Sequence, residues 1–380
     1  MRIAVITRVF SKTGGGAESY AVAMVQELIE RHDIHVFCQE TNRPVTGATY
    51  HRVFCLSRKP RWLNQLLFAL ATWIKTRRGF DVVHSHENTW HGQIQTIHVK
   101  PIRLNLFVGH DSVGLVWQWI KVALSPRLLT YVWLEAARFK FKSNRKIVAT
   151  SQSLGAQCAK TYPPSAAGLS VITPGTSVAL HQPTRVAAHQ QLGLSGLGQQ
   201  RLVLFVANDY RRKGLDTLLQ AMCLLPLNVS LLIAGNTEQM AKYAQQAKRL
   251  GLSQRVRFLG PLTNLCVAYC AADCLAHPTL EDSFAMVVLE AMAHGLPVVV
   301  SGPAYCGISQ QLTDGRHALL LQDPQDPNQL SDRLRAVLEQ PELDTQLSQQ
   351  GLLFAQAHSW ESAALQYEAL YQQAAALTAV

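Results

Sequence analysis

The chain has 380 residues, 48% of them hydrophobic and 16% charged, and its 35 Lys and Arg outnumber 25 Asp and Glu for a formal net charge of +10. That length and apolar content exclude a small disulfide-stapled domain and a disordered tail, and predict two domains or more. Eight cysteines with no secretory leader ahead of them point to free thiols in a reducing compartment.

The first predicted unit is RIAVITRVFSKTGGGAESYA, a strand, a glycine loop holding Gly15 and Gly16, and a helix that starts near Glu18. RKPRWLNQLLFALATWIKTRR, residues 58–78, then flanks an apolar stretch with cations. The strand VVHSH follows, and QIQTIH is a second strand closed by His98. His84, His86, His91 and His98 are rich in nitrogen ligands, yet no carboxylate motif with open coordination geometry accompanies them. Residues 113–142, VGLVWQWIKVALSPRLLTYVWLEAARFKFK, place Trp117, Trp119 and Trp133 among Lys and Arg; like 58–78, this is not an uninterrupted spanning segment. After the strand KIVATS, Pro174, Gly175 and Pro183 mark a boundary near residue 175.

The second half repeats the pattern. RLVLFVANDYRRKGLDTLLQAM reads as a strand over Leu202–Ala207, a turn bearing Arg211, Arg212 and Lys213 before Gly214, and a helix from about Asp216. Arg offers a planar fork and Lys a point charge, a pairing suited to a diphosphate. Strands VSLLIAG, VRFLG and CLAHP follow. Cys266, Cys270 and Cys274 recur every four residues before His277, a spacing better explained by small buried hydrophobes than by a metal cluster. In HPTLEDSFAMVVLEAMAHGLPVV, Ser283 is placed to cap a helix over Phe284–His294 that Gly295 and Pro297 end, with Asp282 and Glu290 eight residues apart around its start. Taken alone, two such acids are a solvated helix start. Beside a cationic turn they suit a polyhydroxyl ligand carrying phosphate, because carboxylates accept hydroxyl protons and helix-start N–H groups hold phosphoryl oxygens. Repeated strand-loop-helix units make the fold α/β with parallel sheets, and ligands bind at the carboxyl ends of such strands.

The run Arg212-Lys213-Gly214, the HPTLEDSFAMVVLEAMAHGLPVV segment, TDGRHALLL, SWESAALQYEALY and the early Gly15-Gly16-Ala17-Glu18 together resemble the retaining GT-B glycosyltransferases of family four. Within them the likeness is greatest to bacterial lipopolysaccharide-core and related cell-envelope sugar transferases. It spans nearly the whole chain and is weakest over residues 40–170. The resemblance implies a GT-B fold, two Rossmann-like domains with parallel sheets facing across a cleft. Residues 1–175, joined by a returning helix over 360–380, would bind acceptor, and 176–359 would bind the nucleotide sugar. It further implies retaining, metal-independent transfer of a hexose without a cofactor, from a nucleotide-diphosphate sugar for which UDP is the favoured base. His98 and Asp282 would be catalytic, with Asp282 holding the donor sugar hydroxyls and Glu290 the ribose. Arg212, Lys213 and loop amides near Gly15 and Gly16 would stabilise the departing diphosphate. Glu18, Glu281, Ser283, Phe284, Ala285 and Met286 complete the substrate-binding set. No D-x-D motif is present to hold a divalent cation, so the cations take that role. Two departures stand out: Asp282 occupies the register of a usual Glu, with Glu281 one place early, and Ala285 replaces a usual Gly.

Charge is unevenly distributed. Residues 1–175 hold 22 Lys and Arg against 9 Asp and Glu, or +13, while 176–380 hold 13 against 16, or −3. A cationic first half predicts an anionic glycan or glycolipid acceptor and an anionic membrane surface as partners. Residues 58–78 and 113–142 are either interfacial helices, with Trp at headgroup depth, or core helices with a solvated basic edge. The expectation is a peripheral protein on the cytoplasmic face of the inner membrane. The competing classes are another GT-B enzyme, such as a nucleotide-sugar epimerase or a phosphorylase, and a nucleic-acid-binding protein, for which basic charge and aromatics are the only support.

Overall fold

A computed structural model describes residues 1–11, 16–42, 44–55, 59–177, 182–197 and 200–377. Two units emerge: Met1–Pro174 with Trp360–Val380, and Gly175–Ser359.

In the first unit the strands are β1 (Arg2–Ile6), β2 (Val9–Ser11), β3 (Asp33–Cys38), β4 (Glu40–Asn42), β5 (Thr49–Arg52), β6 (Val82–Ser85), β7 (Ile94–Ile97), β8 (Lys146–Ala149) and β9 (Leu169–Val171). Seven of them form one parallel sheet in the order β5-β3-β1-β6-β7-β8-β9, and β2 pairs with β4 alongside. Helices α1 (Gly16–Leu28), α2 (Arg61–Thr76), α3 (Ile102–Phe107), α4 (Ser112–Leu124), α5 (Pro126–Arg138) and α6 (Gln152–Thr161) connect the strands. Order reverses between β1 and β6, so the loop after β1 and the residues after β6 flank a topological switch point.

The second unit contains β10 (Arg201–Ala207), β11 (Val229–Gly235), β12 (Val256–Gly260), β13 (Cys274–His277), β14 (Val298–Ser301) and β15 (Leu319–Leu321), ordered β12-β11-β10-β13-β14-β15 and parallel throughout. Its helices are α7 (Arg185–Gln191), α8 (Leu215–Leu224), α9 (Met240–Arg249), α10 (Cys266–Ala271), α11 (Met286–Ala293), α12 (Pro327–Glu339) and α13 (Pro341–Gln356). Alternation along β10 shows why these residues make this layer: Leu202, Leu204 and Val206 enter the core under α10 and α11, while Val203 and Phe205 enter the opposite core under α8 and α12. A strand buried on both faces needs an unbroken apolar run, which RLVLFVA supplies. The switch point lies between β10 and β13, where the cationic turn and the acid-bearing loop both emerge.

The last helix, α14 (Trp360–Ala376), belongs to the first unit. Tyr367 and Tyr371 are fully buried there, and Glu368 pairs with Arg31 and His32 at 2.8 Å each. Phe284–His294 was expected to be helical throughout; the regular turns begin only at Met286. All eight cysteines are free thiols.

Candidate functional site

Gly214 fixes the cationic turn after β10. Its φ is +80°, and a Cβ at this position would lie 1.9 Å from the Pro278 carbonyl oxygen, so only glycine lets the turn rest on the loop that follows β13. The two loops are then stitched: Leu280 N–H donates to the Arg212 carbonyl at 2.9 Å, and the Thr279 hydroxyl donates to the same oxygen at 3.3 Å. This contact carries Lys213 inward. Its ammonium donates to Asp282 Oδ2 and, at 3.3 Å, to the Glu281 carbonyl. Arg212 behaves differently, its half-exposed guanidinium lying 3.9 Å from Asp209.

Asp282 ends up at the centre of the loop. Oδ1 accepts from the Phe284 N–H at 3.2 Å and the Ala285 N–H at 2.9 Å, while Oδ2 takes Lys213 and, at 3.2 Å, His277 Nε2. Burial alone would push this carboxyl up; the His277 hydrogen bond and the Lys213 charge outweigh it and hold the group well below the usual carboxylate range. His277 closes β13, is fully buried, and has its own pKa lowered by burial, so at neutral pH an uncharged ring donates its Nε2–H to an ionised carboxylate.

This geometry overturns one expectation, the Ser283 cap, and bears on two more. The side chain that closes the turn onto the 284 and 285 amides is Asp282, and α11 has no Ser283 cap. Phe284 is 3% exposed and belongs to the core, so its ring is not presented to a ligand. Asp282 was expected to offer a carboxylate to sugar hydroxyls, yet both oxygens are occupied. Ala285 adopts φ +73° and ψ +68°, left-handed backbone that favours glycine. Met286, half-buried, opens α11, and Glu281 is held at its carbonyl by Lys213.

Glu290 lies on α11 and accepts the Tyr269 hydroxyl at 2.7 Å. Burial raises its pKa, and the Tyr269 bond works against that rise. His294 Nδ1–H donates to the Glu290 carbonyl at 2.7 Å, and its ring lies 5.1 Å from that of Tyr269. Lys213, Asp282 and Glu290 thus sit on the loops and helix that leave the carboxyl ends of β10 and β13.

In the first unit Gly15 lies outside the described residues; Gly16 opens α1 and Glu18 falls in its first turn. His98 follows β7 directly. Its Nε2 shares a 3.0 Å hydrogen bond with His86 Nδ1, and the Tyr20 ring meets it edge-on at 5.1 Å. Behind the pair, His84 bonds Tyr371 and Thr96 at 2.7 Å each, Thr96 bonds Tyr367 at 2.8 Å, and Tyr20 donates to Tyr367 at 3.0 Å. Burial lowers the pKa of His84, His86 and His98, so all three rings are neutral, and His86 falls to about 3. α14 therefore braces the strand ends that carry His98.

The two amphipathic segments differ. α2 turns Phe68, Ala69 and Thr72 into the core and leaves Trp73 and Ile74 partly exposed. α4 buries only Val122; Val113, Val116, Trp117, Trp119 and Leu124 are all at least half exposed, beside the exposed cations Lys121 and Arg127. Among the described residues no helix is long and apolar enough to cross a membrane.

Sequence reasoning missed Tyr269 as a partner of Glu290, and it weighed His277 only as a metal ligand. A histidine closing the apolar strand CLAH was the available signal for the second; Tyr269 had none, since its partner is 21 residues away on another helix.

Residues 194–353 match the family described as glycosyl transferases group 1, and residues 14–180 match glycosyltransferase family 4. The chain is 26% identical over 226 residues to lipopolysaccharide glucosyltransferase WaaG of Escherichia coli, covering 58% of this chain and 60% of that protein. It is 31% identical over 219 residues to D-inositol 3-phosphate glycosyltransferase of Corynebacterium efficiens, covering 54% and 51%. The matched stretch therefore spans between half and two thirds of these relatives. Among solved structures, a crystal structure of WaaG superposes with a TM-score of 0.81 at 21% identity, covering 99% of both chains. Anabaena Alr3699/HepE in complex with UDP and glucose gives 0.75 at 17% identity, covering all of both.

Proposed function

We propose that this chain, which belongs to the group 1 glycosyltransferase family, moves a hexose from a nucleotide-diphosphate sugar onto an anionic envelope glycan or glycolipid. The observation that carries the reading is Lys213, fixed by the Gly214 turn at the carboxyl ends of β10 and β13, where a doubly wound sheet receives its ligand. Breaking the sugar C1–O bond leaves negative charge on the distal phosphate. Lys213 and the half-exposed Arg212 would stabilise that charge, together with the first amides of α11. Glu290, aimed by Tyr269, would accept the ribose hydroxyls. His98 would hydrogen-bond the donor sugar as a neutral imidazole.

Retention follows in this reading from attack on the face the diphosphate leaves, the departing phosphate oxygen taking the acceptor proton, with no protein nucleophile. In this reading the two cations on the turn take the place of a divalent ion. UDP is the favoured base, supported by the UDP complexes of the HepE fold relative. WaaG similarity supports a lipopolysaccharide-core acceptor. The higher identity to the D-inositol 3-phosphate enzyme supports a second reading, a phosphorylated polyol. Both acceptors are anionic, as the +13 of residues 1–175 favours.

α4 with its exposed Trp117 and Trp119 would lie on the anionic phospholipid surface of the inner membrane, on its cytoplasmic face, with Lys121 and Arg127 against headgroups. The test is nucleoside-diphosphate release from UDP-glucose, ADP-glucose and GDP-mannose, with lipopolysaccharide core or inositol phosphate as acceptor. Acceptor-dependent release that Lys213→Ala abolishes in a folded protein is the expected result. Release without acceptor, and with epimerised sugar, would replace transfer by epimerisation.

A further inference from the structure

We propose that Asp282 is a positioning residue that acts on the donor through Lys213, not a ligand of the donor sugar, and that His277 is the second jaw of the same clamp. The inference rests on the transfer reading above and says how its site divides the labour.

An ionised carboxylate is acceptor-only, with about four lone-pair sites on its two oxygens. In Asp282 each of the four has a donor: the Phe284 and Ala285 amides on Oδ1, the Lys213 ammonium and the His277 N–H on Oδ2. With two donors already on each oxygen of this side chain, itself 17% exposed, a sugar hydroxyl finds no unclaimed lone pair. A hydroxyl that donated here would have to evict one of these donors, and an evicted buried donor loses its partner without regaining water.

Side-chain length explains the arrangement. With a single methylene, the carboxylate folds back onto amides two and three residues ahead, the reach of an Asx turn. Holding both amides keeps the backbone bent into the left-handed conformation of Ala285, so the two departures from the family pattern form one device. His277 fits the same account. Its Nε2–H serves Asp282, while Nδ1 is buried with no partner, so the carboxylate supplies the ring's one hydrogen bond. What the clamp delivers is a single place for the Lys213 ammonium.

The experiment uses the full chain, titrated calorimetrically with UDP and with UDP-glucose, or with the ADP or GDP pair if that base is the one bound. Asp282→Asn should weaken both ligands by a common factor of about tenfold, leaving the ratio of the two affinities within about twofold of wild type. In a Lys213→Ala background the same substitution should do nothing further to nucleotide affinity, as expected when one residue acts through another. His277→Leu should reproduce a smaller loss of the same kind, and His277→Gln, which restores an N–H at similar reach, should recover it. Loss of UDP-glucose affinity by about tenfold or more with UDP affinity intact would overturn the proposal, because that is the signature of a direct hydrogen bond to the sugar. Additive losses in the double variant would overturn it too. If Asp282→Asn melts below the assay temperature, the His277 pair decides alone by the same ratio. Wild-type protein that binds none of the three nucleoside diphosphates would sink the transfer reading itself, an outcome distinct from either of the others.

Discussion

Gly214→Ala tests whether the site depends on the close approach of two loops. Two costs fall on the variant. An alanine at φ +80° pays roughly 1–2 kcal/mol for left-handed backbone. Its methyl would also overlap the Pro278 carbonyl, 1.9 Å from the ideal Cβ, and such overpacking costs about 1–3 kcal/mol. Gly251→Ala isolates the first cost, since Gly251 lies in the same unit at φ +74° with nothing within 4 Å of a built Cβ. Both variants gain the same small benefit from a stiffer unfolded chain, so their difference is the overlap. At about 2–4 °C per kcal/mol for a unit of this size, Gly214→Ala should melt roughly 2–12 °C below Gly251→Ala. Thermal unfolding followed by circular dichroism measures both. Equal melting temperatures would refute the contact between the 208–214 turn and the 278–282 loop, and with it the account of how Lys213 is placed.

Burial raises the Glu290 pKa above its ordinary 4.5, so the folded chain keeps that proton longer as pH rises. The stability this contributes is full below the ordinary value and is lost as pH climbs through the raised one. The melting temperature of wild type minus that of Glu290→Gln should therefore fall with rising pH across that window, and a flat difference would contradict the assignment. Tyr269→Phe removes the bond that opposes the rise, so the window should move to higher pH and nucleotide affinity should drop by about fivefold to tenfold. Trp117→Ala with Trp119→Ala should lower the melting temperature only slightly, since Trp117 is mostly exposed and Trp119 is half exposed beside the Phe107 ring, yet abolish co-sedimentation with phosphatidylglycerol vesicles; binding that survives both changes would remove α4 from the membrane reading. Wild-type binding to those vesicles should weaken as salt rises. Chelator should leave the transfer rate unchanged, and a lost rate restored by a divalent cation would overturn the metal-independent mechanism.

Much of the architecture was legible because parallel α/β folds write themselves in long apolar runs. RLVLFVA, VSLLIAG and CLAH sort by alternation into two cores, and Trp360 begins the last helix where the SWES sequence predicts. Strands without such runs were not legible. β4 is exposed at all three residues and β5 buries none of its four fully, so only their pairing with β2 and β3 makes them strands. Ser283 and Asp282 are both competent caps by residue type. The choice between them is made by the left-handed turn at Ala285, a backbone state that an alanine in the sequence does not announce.

The site divides along the same physical line. Residue types suited to a phosphate, a lysine just before a turn-ending glycine and acids around a helix start, are visible one at a time because the requirement is local. What each acid does is set by donors that arrive from elsewhere in the fold. Asp282 and Glu290 look equivalent in sequence, yet one meets a lysine from the neighbouring β10 loop and the histidine that ends its own strand, and the other a tyrosine hydroxyl from α10. The first is therefore held ionised and saturated, the second raised in pKa and held by one donor on Oε2. A pair of carboxylates eight residues apart has been differentiated by its partners into an anchor for a cation and a buried acid held by one tyrosine hydroxyl, and no spacing rule could have separated the two environments.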